Sequence, residues 1–502
     1  KNNHIIIQGK IREKVIEIYD LEKHLGGLSQ KKIGLCHGVF DLLHIGHIKY
    51  LQEAKSICDI LVVTITQDKN VNKGPGRPAF TEIQRAEGIS ALECVDFVSI
   101  NQWPTSIETI DLIKPDFYIK GPDYVNMSDD ITGNIKKEKL AVEKNGGELI
   151  FTSGETHSSS NLINEIKTKG SAYESNWWKK DRKKISLKRI LDSFSSLEDL
   201  KVCVVGEDIT DIYSNYRPLG RSSKGASLVF EKGKSDIYDG GTLAVAKNLT
   251  AFHKNVSLLT NRSQKVNQYK INRKDLDLGN DIVKERILDS HTSEKVIEFY
   301  NSNYELMWDK DSEKSFLKYF KDNKFDIIIC VDFGHGFFTQ TIINAIESLD
   351  TFIALNVQTN AGNRGYNYVS KWKKADFVSI TAEELALTLQ DKTSSLNDKV
   401  SKLKSILNFD QIVITQGAQG SSFFNKNSKF HIPAFAGSVK DRVGAGDTFL
   451  ASVASHIFLN ALDFNSIGLI GNLAAAQSLK HQGNKEILNK DDLLKAIQHI
   501  LK

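Results

Sequence analysis

Short apolar runs separated by segments of helical period recur along this chain of 502 residues, and this alternation constrains its fold most strongly. Runs that carry almost no alternating polar residues are what a parallel sheet buried on both faces requires. The sequence therefore predicts an α/β protein built from two successive sets of such runs. The strand-like runs are residues 32–39, 60–66 and 117–120 in the first set, and 201–205, 325–331, 351–356, 377–380 and 411–415 in the second.

A charged stretch without any period, residues 168–185, separates the two sets, and the chain is too long for one ordinary core. We therefore predict a first domain at 1–168, a linker with a leading helix at 169–198, and a second domain at 199–502. Within the second domain, residues 228–238 alternate apolar and polar positions ahead of a Gly-Gly pair. This alternation predicts a small β lid over a pocket.

Composition and charge exclude several classes of protein. The 66 Lys and Arg residues nearly balance the 62 Asp and Glu residues, and a net charge of +4 gives too weak a field to indicate nucleic-acid binding. The five cysteines are scattered without CxxC spacing, which is typical of free thiols in a reducing compartment. No apolar stretch approaches the roughly 18–20 residues of a membrane span. We expect a cytoplasmic protein without a nucleic-acid or membrane partner.

Two histidines stand just after the first strand-like run, in the segment GVFDLLHIGH at residues 38–47. A helix amino terminus with imidazoles at His44 and His47 can stabilise phosphate oxygens that gain charge when a nucleoside triphosphate is cleaved between its α and β phosphates. The alternative is that the two histidines only cap the helix predicted at 46–56. Class I aminoacyl-tRNA synthetases also carry His-Ile-Gly-His, but their Lys-Met-Ser-Lys-Ser loop is absent here.

Further motifs follow in the same half: Lys-Gly-Pro-Gly-Arg-Pro at 73–78, Gln-Arg at 84–85, Lys-Gly-Pro-Asp-Tyr at 120–124 and three serines at 158–160. With these motifs, the first half resembles the small nucleotidyltransferases that include glycerol-phosphate cytidylyltransferase. It is more similar to the adenylyltransferase domain of bifunctional heptose-phosphate kinase/adenylyltransferases. The resemblance implies a Rossmann-like domain that transfers a nucleotide and releases pyrophosphate.

The same resemblance implies roles for individual residues. His44 and His47 would bind the nucleotide phosphates during catalysis, and Arg85 would clamp phosphate oxygens through two hydrogen bonds. Asp41 would order the phosphate loop. ATP is the expected nucleotide, with CTP as the alternative, and Mg²⁺ would bridge the triphosphate oxygens. The other predicted contacts of this half are the nucleotide-binding Gly38, Phe40, Ser158, Ser159 and Ser160 and the substrate-binding Lys73 and Lys120.

A glycine-rich segment, Gly-Ala-Gly-Asp at residues 444–447, precedes an apolar helical stretch at 450–457. Glycines let main-chain N–H groups converge at a helix start, where they can form an anion hole for a transferring phosphoryl group. The carboxylate of Asp447 could then accept the proton of the attacking hydroxyl as a general base. The segment therefore favours a phosphoryl-transfer site.

Residues 200–502 resemble the ribokinase-like (phosphofructokinase-B) sugar kinases along their full length. The resemblance implies that Asp211 binds a sugar hydroxyl and that Gly240 and Gly241 form the floor of the sugar site. It also implies that Asp447 is the catalytic base. The other residues that it assigns are the nucleotide-binding Thr415, Gly417, Gly420, Gly444, Ala445, Gly446 and Asn472 and the metal-binding Glu384.

The sequence departs from the sugar-kinase pattern on the substrate side. The family's Asn-x-x-Glu motif reads Thr381-x-x-Glu384, and its Asp-Pro-Lys segment reads Asn-Val-Gln at 356–358. An Asn that often follows the di-glycine is replaced by Ala244. These changes put the acceptor of the phosphoryl group in doubt.

Two functions therefore remain. One is a bifunctional sugar kinase and sugar-phosphate nucleotidyltransferase that makes a nucleotide-activated sugar, similar to ADP-heptose, for surface polysaccharide. The other is a single-activity nucleotidyltransferase whose second half is a degenerate sugar- or nucleotide-binding and dimerisation module. In both, the expected partners are a sugar or sugar phosphate, a nucleoside triphosphate and a second copy of the chain in a homodimer.

Overall fold

The computed structural model describes residues 14–27, 30–71, 77–121, 134–153, 176–261, 269–279, 281–300, 306–425, 428–437 and 439–501. The chain divides into two compact units. The first unit contains residues 1–169 with 494–500 and 502, and the second contains residues 170–493 with 501. The limits of the domains proposed from the sequence stay predictions.

The first unit contains a five-stranded parallel sheet in the order β3-β2-β1-β4-β5. Successive side chains of a strand point to opposite faces, so Leu35 and Cys36 of β1 belong to two different apolar clusters. The runs predicted at 60–66 and 117–120 match β2 and β4 residue for residue. The elements of this unit are α1 (Ile18–Gly26), β1 (Ile33–Gly38), α2 (Ile45–Ile57), β2 (Ile60–Thr66), α3 (Glu82–Ser90), β3 (Phe97–Asn101), α4 (Ile107–Ile113), β4 (Phe117–Lys120), α5 (Asn134–Lys144) and β5 (Glu148–Phe151).

The second unit begins, among the described residues, with a short turn before its first regular helix. Trp177 and Trp178 lie in this turn and are buried against Phe435. The segment that the sequence predicted to be a linker therefore contains two tryptophans that pack into the second unit. The helices of the unit are α6 (Leu187–Leu197), α7 (Gly241–Leu249), α8 (Lys310–Asp322), α9 (Gln340–Glu347), α10 (Ala382–Thr388), α11 (Leu396–Lys404), α12 (Ala445–Leu459), α13 (Phe464–Ser478) and, shared with the first unit, α14 (Lys490–Leu501).

A nine-stranded sheet forms the centre of the second unit, in the order β10-β9-β6-β13-β14-β15-β16-β17-β18. It is parallel from β10 to β16, and its last two strands are antiparallel. The parallel strands therefore end at one common edge of the sheet. The strands are β6 (Lys201–Gly206), β9 (Asn255–Asn261), β10 (Ile271–Leu276), β13 (Ile327–Asp332), β14 (Phe352–Val357), β15 (Lys374–Thr381), β16 (Asn408–Thr415), β17 (Ser421–Phe424) and β18 (Lys429–Ile432).

A separate four-stranded sheet, which we call the lid, has the order β12-β11-β7-β8. The sequence predicted one of its strands, at 228–238, and the structure adds three more. Its central pair is parallel and both outer pairs are antiparallel. The lid strands are β7 (Asp208–Arg221), β8 (Leu228–Gly240), β11 (Ile282–Asp289) and β12 (Lys295–Tyr300).

Membrane-spanning helices are absent from the part of the chain that the structure describes, since none of its helices is long and apolar enough to cross a bilayer.

Candidate functional sites

The two predicted histidines of the first unit lie together at the start of α2. His44 is the N-cap residue, and its Nδ1 accepts a hydrogen bond from the main-chain N–H of Gly46 at 3.1 Å. In a neutral imidazole this places the ring hydrogen on Nε2, which can then donate to an anion. The His44 and His47 rings are stacked with centroids 4.0 Å apart. Capping and phosphate binding are therefore compatible roles for His44.

The loop between β1 and α2 has an unusual backbone. Phe40 and Leu42 adopt φ values of 49° and 54°, a left-handed conformation that is uncommon for residues other than glycine. The Phe40 ring packs edge-on against His47, with centroids 5.4 Å apart. Because such strained residues persist where the surroundings enforce them, the loop marks a site where the chain is held in one shape.

Asp41 holds this loop against the segment that precedes α3. Its carboxylate pairs with Arg77 Nε at 2.7 Å and accepts a hydrogen bond from the N–H of Ala79 at 2.8 Å. Its side chain has no exposed surface. This arrangement agrees with the predicted role in ordering the loop and leaves no surface for a direct contact with a nucleotide.

Arg85 uses its donors within the protein, and the phosphate-clamping role that the sequence predicted stays a prediction. Its guanidinium donates to the carbonyl oxygens of Phe80, Val39 and Thr66 and pairs with Asp68 at 2.6 Å. The side chain is buried. Because these contacts use its charge within the protein, Arg85 joins the ends of β1 and β2 to the start of α3.

Lys120, predicted to bind the substrate phosphate, lies at the end of β4 in an ion pair with Glu138 at 3.0 Å. Burial would raise the pKa of Glu138, but the charge of Lys120 and a hydrogen bond from Ser106 lower it below its usual value. The Lys120 charge is thus shared with a carboxylate, and its contact with substrate stays a prediction. The predicted Lys73, Ser158, Ser159 and Ser160 lie outside the described residues.

The second unit contains a cavity of about 300 Å³ between the lid and the common edge of the parallel strands. Cavities of this size hold small-molecule ligands. It brings together residues that are up to 275 positions apart in the chain, from Ile209 to Asn484. The predicted residues that line it are Asp211, Gly241, Glu384, Thr415, Gly444, Gly446 and Asp447, and the further lining residues include Lys284, Arg286, Tyr300, Gln358, Arg442 and Asn484.

Asp447 lies in the first turn of α12, at the inner wall of this cavity. Its Oδ1 accepts a hydrogen bond from Gln358 Nε2 at 2.7 Å. Burial raises its pKa to about 6, a shift that the Gln358 hydrogen bond opposes and the nearby Asp211 charge increases. A carboxylate with this pKa is suited to accept a proton near neutral pH.

The glycines before Asp447 shape the start of α12. Gly444 has a φ of 83° and is the N-cap, and a Cβ added to it would lie 1.9 Å from Asn484 Oδ1. A Cβ at Gly446 would meet nothing within 4 Å. The first N–H groups of a helix lack intrahelical partners, so this open turn can bind an anion. Ala445 begins the helix but does not line the cavity.

The predicted Asp211 and Gly241 line one side of the cavity, and Gly240 lies against Asp211 without lining it. A Cβ at Gly240 would lie 2.5 Å from Asp211 Oδ2, so only glycine permits this close approach. Gly241 has a φ of 59°, and a Cβ there would meet the carbonyl oxygen of Glu207. The Asp211 carboxylate forms an ion pair with Arg286 of the lid. A sugar hydroxyl would share Asp211 with this guanidinium.

Glu384 has a structural role that the sequence did not predict. With Thr381 it forms a capping box at the start of α10, and its two oxygens accept hydrogen bonds from the N–H groups of Thr381 and Thr359 at 2.7 and 3.0 Å. Burial raises the pKa of Glu384. A Mg²⁺ ion bound directly to Glu384 would have to share these oxygens with the two N–H groups.

Magnesium fits this cavity only with a nucleotide. No group of three or more His, Cys, Asp or Glu side chains suited to a metal occurs within the described ranges. Mg²⁺ usually keeps several waters and takes one or two carboxylates together with substrate phosphates. Glu384, which lines the cavity, would hold it through water.

Of the residues predicted on the nucleotide side, Thr415, Gly444 and Gly446 line the cavity, whereas Gly417, Gly420, Ala445 and Asn472 do not. Thr415 ends β16 and lines the cavity, and the turn with Gly417 and Gly420 follows it, both glycines having positive φ values. Asn472 instead donates its side-chain N–H groups to the carbonyl oxygens of Ile432 and Pro433, at 3.0 and 2.9 Å. Asn472 therefore fixes the chain after β18 and does not line the cavity.

Lys284 is the residue that the sequence reasoning missed. Its side chain is buried, and it forms no ion pair or hydrogen bond with the residues that the structure describes. Its ammonium lies 5.3 Å from the Tyr300 ring centre and 5.9 Å from that of Phe333. Burial lowers its pKa, which the Asp211 charge opposes. The available signal was the alternation in β11, whose Lys284 and Arg286 share the buried face with Ile282 and Leu288.

Two family models match separate parts of the chain. Residues 35–186 match the family model described as cytidylyltransferase-like, and residues 300–491 match that of the pfkB family carbohydrate kinases. Each of these two parts of the chain is therefore similar to one of the two families. The predicted fold class is thereby confirmed as α/β, with a Rossmann-like N-terminal domain and a ribokinase-like C-terminal domain with a β lid.

Curated relatives match over a limited stretch. A bifunctional protein HldE from Syntrophotalea carbinolica is 34% identical over 160 residues, 31% of this chain and 30% of the relative. The protein of that name from Helicobacter pylori strain P12 is 40% identical over 153 residues, 30% of this chain and 31% of the relative. The match thus spans about a third of these relatives' length.

Solved structures that resemble the chain include phosphofructokinase-2 from Escherichia coli, with a TM-score of 0.48 and 10% identity. It covers 60% of this chain and 100% of its own. Ribokinase from Thermotoga maritima has a TM-score of 0.46 and 15% identity, and covers 60% of this chain and 99% of its own.

Proposed function

We propose that the chain is a bifunctional enzyme whose second half phosphorylates a sugar and whose first half attaches a nucleotide to a sugar phosphate, giving a nucleotide-activated sugar of the ADP-heptose type. The observation that carries the proposal is the buried Asp447 at the open start of α12, in a cavity that also contains Asp211. The HldE relatives support the pairing of the two activities. Use of the product in surface polysaccharide belongs to the same proposal.

In the kinase half, an acceptor hydroxyl would lie between Asp211 and Asp447. Asp447 takes its proton, the oxygen forms a bond to the γ phosphorus of ATP, and the bond to the leaving ADP oxygen breaks. The N–H groups at the start of α12, opened by Gly444 and Gly446, stabilise the charge on the transferring group. Mg²⁺ would neutralise the β and γ phosphates when bound.

In the nucleotidyltransferase half, an oxygen of the sugar phosphate attacks the α phosphorus of the triphosphate, and the bond to pyrophosphate breaks. His44 and His47, at the start of α2, donate hydrogen bonds to oxygens that gain negative charge in this step. Neither histidine forms a covalent bond. ATP is the proposed nucleotide, and CTP is the alternative that a nucleotide panel distinguishes.

The kinase acceptor is anionic in this proposal, because buried Lys284 lines the cavity and forms no ion pair among the described residues, so that Asp211 and Glu207 act on it only at longer range. A phosphate group on the sugar would pair with Lys284, while Arg286 is already bound to Asp211. A sugar monophosphate is therefore the proposed acceptor.

The test uses purified full-length protein with ATP, Mg²⁺ and a panel of sugars and sugar monophosphates, with ADP as the readout. Lys284→Met should raise KM for the phosphorylated acceptor about 10- to 100-fold, the loss expected for one charge-assisted contact. Lys274→Met, which removes an exposed lysine of β10, is the matched control and should leave KM unchanged. An unchanged KM for the phosphorylated acceptor in Lys284→Met would refute the anionic acceptor.

The competing function, a nucleotidyltransferase with a non-catalytic second half, is favoured by one observation: the Asp211 carboxylate is already paired with Arg286. Pyrophosphate release without any ADP across the whole panel would establish it. In either case we propose a homodimer, which light scattering of the purified protein would test, and a cytoplasmic location.

A further inference from the structure

The loop that leads into the anion hole is attached to the lid through one carboxylate. Asp441 stands three residues before Gly444, and its side chain is buried. Its Oδ1 accepts a hydrogen bond from Lys295 of β12 at 2.6 Å, and its Oδ2 accepts one from the hydroxyl of Tyr213 of β7 at 2.7 Å. Two different lid strands therefore hold the same side chain.

The same carboxylate also fixes the main chain around the anion hole. It accepts hydrogen bonds from the N–H of Val443 at 3.2 Å and of Gly483 at 2.9 Å. Four donors thus surround Asp441. Burial would raise its pKa, but these donors lower it below the usual value, so the group is a carboxylate at neutral pH.

A second line of contact runs from the lid to the anion hole beside Asp441. A Cβ at Gly483 would lie 3.0 Å from the Tyr238 ring and 3.1 Å from the Tyr213 ring. The next residue, Asn484, packs so closely on Gly444 that a side chain there could not fit. The segment 483–484 therefore lies between the lid tyrosines and the N-cap of α12.

Tyr213 also contacts the acceptor side of the cavity. The Arg286 guanidinium lies 5.2 Å from its ring centre, and Arg286 pairs with Asp211. A continuous set of contacts therefore joins the acceptor-binding side chains to the anion hole: Asp211, Arg286, Tyr213, Asp441 and Gly444.

We infer that Asp441 is a positioning residue through which the lid, seated on the acceptor, sets the geometry of the anion hole at Gly444–Asp447. In this arrangement γ-phosphoryl transfer is fast only when the lid strands hold Asp441. The inference rests on the proposed kinase activity. It adds a role for the lid in catalysis to its role in covering the acceptor.

Two conservative variants remove single lid contacts. Tyr213→Phe deletes one hydroxyl and keeps the ring that Arg286 and Gly483 contact, and Lys295→Met deletes one ammonium. Each should lower kcat for ADP formation about 5- to 100-fold with KM for ATP within about twofold, because coupling between sites of this kind typically has that size. The double variant should lose less than the product of the single effects, since both contacts act through one carboxylate.

Arg217→Met is the matched control, because it breaks an exposed ion pair with Glu231 within the lid and leaves Asp441 untouched. It should leave kcat unchanged. Lys295→Arg should recover part of the rate by restoring a charged donor to Asp441. Multiplicative effects in the double variant, or a rise in KM alone, would overturn the positioning role.

Hydrogen exchange of the peptide covering 441–447 separates this inference from the kinase proposal, because it needs no acceptor. The amides should exchange faster in Tyr213→Phe and Lys295→Met than in the wild type and in Arg217→Met. If no acceptor yields ADP but the exchange difference is present, the kinase proposal fails while the attachment of the loop to the lid stands. Unchanged exchange in both variants would overturn the inference.

Discussion

The two candidate sites use their charged side chains in opposite ways. At the first site, the guanidinium of Arg85 and the carboxylate of Asp41 bind the protein's own chain, and Lys120 is paired with Glu138. At the second site, Lys284 has no described partner and Asp447 has a raised pKa. A site whose charges are internally balanced relies on its main chain and imidazoles to bind an anion. At the second site, Lys284 lines the cavity without a direct ion pair among the described residues, so its charge is available to an anionic ligand.

The largest effect should come from Asp447→Asn, which keeps the shape of the side chain but cannot accept a proton. We expect ADP formation to fall by about 10²- to 10⁴-fold, the usual contribution of a general base. Pyrophosphate release by the first half should not change, which serves as the control. A kinase rate within twofold of the wild type would show that the second site has no base at Asp447.

The next largest effect should come from His47→Ala at the first site. Loss of one hydrogen-bond donor to the developing charge should lower the rate of pyrophosphate release about 10²- to 10³-fold. ADP formation by the second half should remain, in contrast to Asp447→Asn. If His47→Ala and Asp447→Asn each abolish both activities, the two sites are not independent and the comparison fails.

A smaller effect should distinguish a structural Arg85 from a ligand-binding one. Arg85→Met removes the donors that the guanidinium provides to the carbonyl oxygens of Val39 and Thr66, and we expect the free energy of unfolding of the first unit to fall by about 3 kcal/mol. The loss is measured by urea unfolding that is monitored through hydrogen exchange of the peptides covering β1 and β2.

Arg85→Lys is the control for this prediction, because it keeps the charge but not the planar set of donors. If Arg85 joins the strand ends, Arg85→Lys should also destabilise the unit, with KM for the nucleotide little changed. A raised KM with unchanged unfolding would restore the phosphate clamp that the sequence predicted.

Much of the fold was predictable, because the spacing of apolar residues within a strand or helix can be seen in a short stretch of sequence. The strands at 60–66 and 117–120 match β2 and β4, and the residues 228–238 became part of β8. Three of the four lid strands were missed, since pairing of β7 with β11 joins residues far apart in the chain. The buried Trp177 and Trp178 were missed because they lie among charged residues.

The candidate sites were predictable at the level of residue type and position. Asp211 and Asp447 do line one cavity, as the motifs predicted. What the sequence could not provide is the set of atoms that each side chain contacts. Arg85 and Asn472 bind carbonyl oxygens of distant segments, and Glu384 caps α10. Lys284 was not predicted, because its importance depends on its burial in the cavity without a direct ion pair, and a sequence does not show either property.

The smallest effect concerns the pH dependence of the second site. A general base must be ionised to act, and burial raises the pKa of Asp447 to about 6. The rate of ADP formation should therefore fall as the pH drops through about 6, because Asp447 becomes protonated. The hydrogen bond from Gln358 favours the charged form and lowers this pKa.

Gln358→Leu removes this donor, so the acid limb of the kinase pH profile should move to higher pH. The maximal rate above the limb should change less, since Asp447 itself is retained. Pyrophosphate release provides the internal control, because Gln358 belongs to the second unit alone. If the acid limb stays in place, a group other than Asp447 titrates. The difference in charge pairing between the two sites would then depend on Lys284 alone.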